Sequence, residues 1–485
     1  MFWRRTEPEF RENKPWVNDI QDIFGLLDPC HVAGATQPVS ILTLASGSDA
    51  PVEAAEQLLT QRFVRHIGSC DNAPPSDTFI HENFSPEQWW GGLDEFAAWA
   101  EEFDAKALKI DVIVAGPPCK GHAISNPKRF KTGKGGFHQK DSDLFFQVIS
   151  AIKAIRPKVA ILEQVKGCLA TSRESAANAL EGAGINIMEA ELDEIPWARW
   201  TRLVLDSSAY LPQVRERVWH LLLDADIFSK ADMDDIVKNV ESLFVQPSRC
   251  PRRTTGQVPE PSAFALPLEH PTVQAALARL APTKERFKKL HRAMEPACER
   301  RHATLRAFLG LPLRSDEKLR RRKGVMAVAP ISSRLQPVVF EALCARERDL
   351  LDVVELAQHI PDKQFRRLRE KMLVVPNQGE LTPGLRQPLK DWKADCSQSL
   401  ERWPWSFDSM RTAQTRTKVF DKKLMRPYVS IDLFEMFGWR SRRLKIDGLD
   451  EPQLLTLVGN SMEVPVPCAL LGGVLRILRP EFCKC

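Results

Sequence analysis

The chain has 485 residues, 43% of them hydrophobic and 27% charged, with a formal net charge of +5. That length exceeds what one compact core normally holds, so two domains are expected. No run of about 18 apolar residues offers a membrane span, and the charged N-terminus does not fit a secretory signal. The mild net charge means that any basic surface for nucleic acid must be local. Eleven cysteines are scattered without a CxxC pair. This argues against a zinc site or a disulfide framework and for a reducing compartment.

Residues 1–38 read as a flank with one amphipathic run, Trp16 to Leu27, suited to a docking helix. Val39 to Ala45 is the first strand, followed by the turn Ser46-Gly47-Ser48-Asp49 and a helix from Val52 to Leu59. Phe63 to Cys70 is the next strand, and Asp71 ends it. Strand, glycine turn, helix and a strand ending on an acid form the opening unit of a nucleotide-type α/β fold, where that acid binds ribose hydroxyls.

Asp111 to Ala115 is a short buried strand that runs into Gly116-Pro117-Pro118 and ends on Cys119. β-Branched residues favour the strand, and the two prolines forbid both helix and further pairing. The thiol is thus held at the carboxyl end of a strand, the edge at which ligands bind in open α/β sheets. A lone cysteine is otherwise a small core residue, so its company decides between packing and catalysis.

A polar glycine- and lysine-rich segment, 128–140, follows. Leu144 to Ile155 then reads as a helix that Pro157 ends, and Val159 to Val165 as a buried strand carrying the carboxylate Glu163. Leu203 to Leu205 and Val218 to Leu223 are further strands. In Pro212 to Trp219, Arg215 and Arg217 stand at alternate positions, so on a strand they share one face. The first 222 residues alternate strand and helix, the pattern of a mostly parallel sheet.

From Ala225 to Leu424 the chain is proline-punctuated and arginine-rich. Basic patches at 284–292, 318–323 and 365–369 suit solvated helix faces or phosphate contact, and 318–323 also suits a nuclear-localisation signal. The stretch 397–406 is either a phosphate- or base-contacting loop or a tryptophan-anchored turn. Arg426 to Cys485 regains apolar periodicity and contains Gly459-Asn460-Ser461.

The ordered set Pro-Pro-Cys119, Glu163-Gln-Val, Gln213-x-Arg215-x-Arg217 and Gly459-Asn460-Ser461 resembles the C5-cytosine-specific DNA methyltransferase family. The resemblance covers roughly residues 39–222 and 426–478. It implies an S-adenosylmethionine-dependent, Rossmann-like α/β fold: a mostly parallel sheet with helices on both faces and a smaller inserted target-recognition domain. The implied boundaries are a flank at 1–38, catalytic parts at 39–224 and 425–485, and a recognition domain at 225–424.

The same resemblance implies a role for each residue. Cys119 is the nucleophile toward C6 of a flipped-out cytosine. Glu163 contacts N3 and the exocyclic amine, and Arg215 and Arg217 hold the base and the loop. S-Adenosylmethionine is the implied cofactor, with Ser46, Gly47, Ser48, Asp49, Asp71, Pro117, Asn460 and Ser461 as its binding set; no metal is implied. Duplex DNA is the implied partner, with RNA the less favoured substrate, no membrane, and the oligomeric state left open. Such a substrate places the protein in the nucleus of a eukaryote or otherwise in the cytoplasm.

The chain also departs from the family pattern. Ala45, Asp49-Ala50, Lys120, His122-Ala123, Gln164 and Tyr210 all replace usual residues. The Cys-Phe-Thr tripeptide of the tRNA-directed branch is absent. Retained nucleophile, carboxylate and arginines favour an enzyme, while the altered turn leaves a nucleic-acid-binding protein with weakened catalysis as the rival.

Overall fold

A computed structural model of the chain describes residues 14–29, 32, 37–102, 109–119, 121–123, 143–170, 184–244, 260–280, 331–357, 392–396, 405–406, 410–411 and 418–483. The 128–140 segment, the three basic patches, Lys120 and most of the 397–406 stretch lie outside the described residues. The chain divides into two compact units. The first comprises Met1–Pro259, Met436–Leu449 and Asn460–Cys485, and the second Glu260–Glu435 and Asp450–Gly459.

The first described helix of the first unit, α1, Pro15–Ile23, overlaps the amphipathic run Trp16 to Leu27. Strand β1 is Val39–Leu44, and every residue of it is buried, as in a strand covered on both faces. Helix α2, Ala50–Leu59, carries a proline in its first turn, where the missing N–H costs nothing. Strand β2, Val64–Cys70, begins one residue later than the apolar pattern predicts, because Phe63 closes a 3-10 turn. Helix α3, Pro74–Asn83, the three-residue β3, Gln88–Trp90, and helix α4, Leu93–Glu102, come next.

Strand β4 is Val112–Ala115, helix α5 Asp143–Ile155 and strand β5 Val159–Val165. Arg156, between α5 and Pro157, turns into the left-handed region at φ +53, which stops the helix one residue before the proline. Helix α6, Gly184–Asp193, leads to β6, Ala198–Asp206, which is longer than the predicted core of 203–205. A two-residue β7, Gln213–Val214, precedes β8, Glu216–Asp224, and helix α7 is Lys230–Leu243. Arg215 falls in the break between β7 and β8. It therefore does not share a strand face with Arg217, contrary to the alternation read from sequence.

Seven strands form one sheet in the order β3-β2-β1-β4-β5-β8-β6. Pairing is parallel from β3 to β5, and β8 runs antiparallel to both β5 and β6. One face buries Leu42, Leu44, Ile113, Ala115, Ala160 and Leu162 against side chains of α4, α5 and α6. The opposite-facing Ile41, Val114 and Ile161 are equally buried. On that side α2 and α7 pack with α1 and the C-terminal helix, Pro465–Leu478. The architecture is a mostly parallel α/β sheet with helices on both faces.

The second unit holds a small antiparallel sheet in which Trp405–Ser406, Lys393–Asp395, Val419–Asp421 and Arg426–Pro427 are successive neighbours. Its buried Arg426 is ion-paired to Asp432 at 2.6 Å. No single helix among the described residues is long and apolar enough to cross a membrane.

Candidate functional site

β4 ends at Ala115, and the Gly116 N–H still donates to Leu44 O, so the chain leaves the sheet one residue later. After Pro117 and Pro118, a tight turn closes behind the cysteine: the N–H groups of His122 and Ala123 both donate to Cys119 O. The Gln164 side chain on β5 donates to Pro117 O at 3.4 Å. Cys119 is thus fixed between the ends of two adjacent strands, and its side chain is partly exposed.

Register brings the carboxylate to the thiol. Ala115 pairs with Leu162, so Glu163 stands just past the last β4 pair, beside the Pro-Pro-Cys turn. Across the antiparallel junction Val165 faces Arg217 and Glu163 faces Trp219. Glu163 and Arg217 are therefore diagonal neighbours on one face, and Arg217 Nε lies 2.7 Å from Glu163 Oε1. Burial and Glu163 push the Cys119 thiol above its usual range, while Arg217 and Arg215 pull it back. The four predicted catalytic side chains act on one another.

Arg215 reaches this cluster from the strand break. Its backbone N–H is held by Asp206 Oδ1 at 3.0 Å. Its guanidinium lies 5.0 Å from the Phe437 ring centroid, donates to Ser461 O at 2.6 Å and is ion-paired to Glu463 Oε1 at 2.8 Å. Burial lowers the Arg215 pKa, and burial likewise raises that of Glu463; each charge offsets the other. Glu463 was not foreseen from the sequence. The available signal was a lone carboxylate in the apolar run Met462 to Val466, where a charge needs a partner.

The turn after β1 is compressed. Ala45, Gly47 and Asp49 all adopt positive φ, at 51, 60 and 60. Ser46 exchanges backbone and side-chain hydrogen bonds with Cys70, tying the turn to the end of β2. The Gly47 N–H donates to Asp71 Oδ2 at 2.9 Å and the Ala73 N–H to Asp71 Oδ1 at 2.8 Å. Ser48 Oγ donates to Ser461 Oγ at 2.9 Å, and a Cβ on Gly47 would stand 3.6 Å from Asn460 O. The Asn460 side chain itself is exposed at the end of a helix, Glu451–Asn460. A Cβ on Gly116 would meet Met462 Cε at 2.8 Å, so the 461–463 loop, the glycine turn and the Pro-Pro-Cys turn converge.

Asp49 departs from its expected place. Its side chain is fully buried, and its oxygens accept from Thr43 Oγ1 at 2.6 Å and Ser69 Oγ at 2.5 Å. With both oxygens engaged inside the fold, the carboxylate braces the turn from behind and does not face a ligand. The remaining cradle fits the implied cofactor. Asp71 is partly exposed at the carboxyl edge of the sheet. Two backbone N–H groups and the Ser76 side chain engage its oxygens, and a carboxylate's remaining acceptor capacity suits a ribose hydroxyl.

Residues 76–313 match the family described as C-5 cytosine-specific DNA methylase. Among curated relatives, the DNA-cytosine methyltransferase of Escherichia coli K12 is 28% identical over 198 residues, 39% of each chain. The type II methyltransferase M.NlaIV of Neisseria lactamica is 22% identical over 199 residues, 41% of this chain and 43% of that one. The orphan methyltransferase M.SPRI of Bacillus phage SPR is 26% identical over 141 residues, 29% of this chain and 27% of that protein. The match spans less than half the length of each of these relatives. The crystal structure of S. pombe Dnmt2 methyltransferase covers 91% of this chain at 12% identity, with a TM-score of 0.43.

Proposed function

We propose that this chain, whose residues 76–313 match the C-5 cytosine-specific DNA methylase family, methylates C5 of cytosine in duplex DNA through Cys119. One observation carries the reading: the Cys119 turn, Glu163 and Arg217 meet at the carboxyl end of β4 and β5, with Glu163 and Arg217 2.7 Å apart.

C5 of cytosine is a poor nucleophile, and covalent addition at C6 divides one hard step into two easier ones. The Cys119 thiolate forms the S–C6 bond, which turns C5 into an enamine carbon. Glu163 holds a proton at N3, so the charge from addition does not accumulate on the ring. Arg217 fixes the Glu163 carboxyl, and the two arginines favour the thiolate against burial. S-Adenosylmethionine, when bound, supplies the electrophilic methyl group. Asp71 would hold its ribose, the Ser46–Ser48 backbone and Pro117 its methionine end, and the Asn460–Ser461 segment would close the cradle. Loss of the C5 proton then breaks the S–C6 bond and frees Cys119. Because C6 is hidden in a stack, the base must leave the duplex first. The name of the Escherichia coli relative specifies DNA, as does the description of the matching family, and this supports DNA over RNA here.

The test is covalent trapping on duplex DNA and on tRNA containing 5-fluorocytosine, with S-adenosylmethionine present. Fluorine at C5 cannot leave as a proton, so a working nucleophile stays attached. A DNA adduct that disappears in Cys119→Ala is expected. An adduct on tRNA alone would move the substrate to RNA, and none on either would leave a binding protein without this chemistry.

A further inference from the structure

Glu463 has no part in the chemistry above, yet it is among the most enclosed charges near the site, at 1% exposure. Burying a carboxylate costs several kcal/mol unless it is paired. Its partner is Arg215, whose side chain is 4% exposed. The same guanidinium donates to Ser461 O, and Ser461 is bonded through its hydroxyl to Ser48 in the turn after β1. One buried cation therefore grips the 461–463 loop at two points, and that loop is fastened to the glycine turn.

The charges also balance. Arg217 is matched by Glu163 and Arg215 by Glu463, so the cluster is neutral while Cys119 is a thiol. We propose that Glu463 is a positioning residue: by holding Arg215 against the 461–463 loop it makes the cofactor cradle and the Cys119 site form together. This rests on the methyl-transfer reading. Without the Glu463 charge, Arg215 loses its buried ion-pair partner, and one of its two holds on the 461–463 loop goes with it. The loop loosens, and the Arg215 guanidinium, which draws the Cys119 thiol toward ionisation, is no longer offset by Glu463.

Two measurements on the full-length protein test this, neither needing turnover. Calorimetry gives the affinity for S-adenosylmethionine, and iodoacetamide labelling of Cys119 against pH, read by peptide mass spectrometry, gives the thiol's midpoint. Glu463→Gln should weaken cofactor binding about tenfold, an ordinary coupling between adjacent sites, and move the labelling midpoint to lower pH. Unchanged affinity and an unchanged midpoint in a folded E463Q protein would overturn the proposal.

Should E463Q lose its cooperative melt, R215Q and the double variant R215Q/E463Q carry the test, since a neutral pair is easier to bury than a lone charge. The double variant should bind cofactor no worse than R215Q alone. A further loss in the double variant would show that Glu463 acts apart from Arg215, which also overturns the idea. A wild-type protein that binds no S-adenosylmethionine would instead sink the methyl-transfer reading, while the labelling profile would still judge Glu463.

Discussion

Asp49 is fully enclosed, with Thr43 and Ser69 hydroxyls on its two oxygens and the His66 ring 3.4 Å away. Burial raises its pKa to about 7, with Asp71 adding to the rise and the hydroxyls opposing it, and burial takes His66 down to about 4. His66 is therefore a neutral imidazole that cannot neutralise the carboxylate. Between pH 4 and pH 7 the folded chain keeps a proton on Asp49 that the unfolded chain has released. Stability from this group is thus full below pH 4, falls as pH rises, and is lost above pH 7. Asp49→Asn removes that dependence. Its stability relative to wild type in urea unfolding should improve by roughly 2–3 kcal/mol between pH 5 and pH 8. A difference that stays constant across that range would show that Asp49 ionises normally.

At the level of elements, the C-terminal helix is cut to fit its neighbours. A Cβ on Gly472 would stand 2.5 Å from Ile20 Cγ2, and one on Gly473 2.8 Å from Ile236 Cγ2. Gly472→Ala gains about 1 kcal/mol of helix propensity. The forced overlap with a branched side chain costs about 1–3 kcal/mol. A lower melting temperature is expected, with partial recovery when Ile20→Ala is added; a stabilised G472A protein would contradict this packing.

The same scale explains what the sequence made legible. β1, β4 and β5 are visible because burial on both faces fills them mostly with β-branched and aliphatic residues. The Cys119 turn and Glu163 are visible because proline and strand periodicity place them at one edge. β3 has only three residues and leaves no periodic trace. Arg215 misled because alternation predicts a strand face, whereas the strand breaks there, Asp206 holds its backbone N–H, and Glu463 and Ser461 O set the side chain's course. Glu463 lies far from Arg215 in sequence, and Ser69 lies on a different strand from the Asp49 turn it braces, so only the folded chain reveals what they hold.

On the scale of the whole molecule, the first unit is assembled from three separated stretches of chain, the last being Asn460–Cys485. That stretch carries the 461–463 loop and the helix whose Leu470, Leu471, Val474 and Leu475 are buried in the core. A chain ended after residue 435 would leave α1, α2 and α7 without this partner and expose their apolar faces. Such a truncation should lose both its cooperative melt and measurable cofactor binding; a soluble fragment that melts cooperatively would refute it. The order of synthesis gives this arrangement a further meaning. The ribosome releases the thiol well before the 461–463 loop that fastens Arg215. A copy interrupted before that loop carries the Cys119 thiol without the residues that hold Arg215, so the cluster assembles only once both distant stretches have been made.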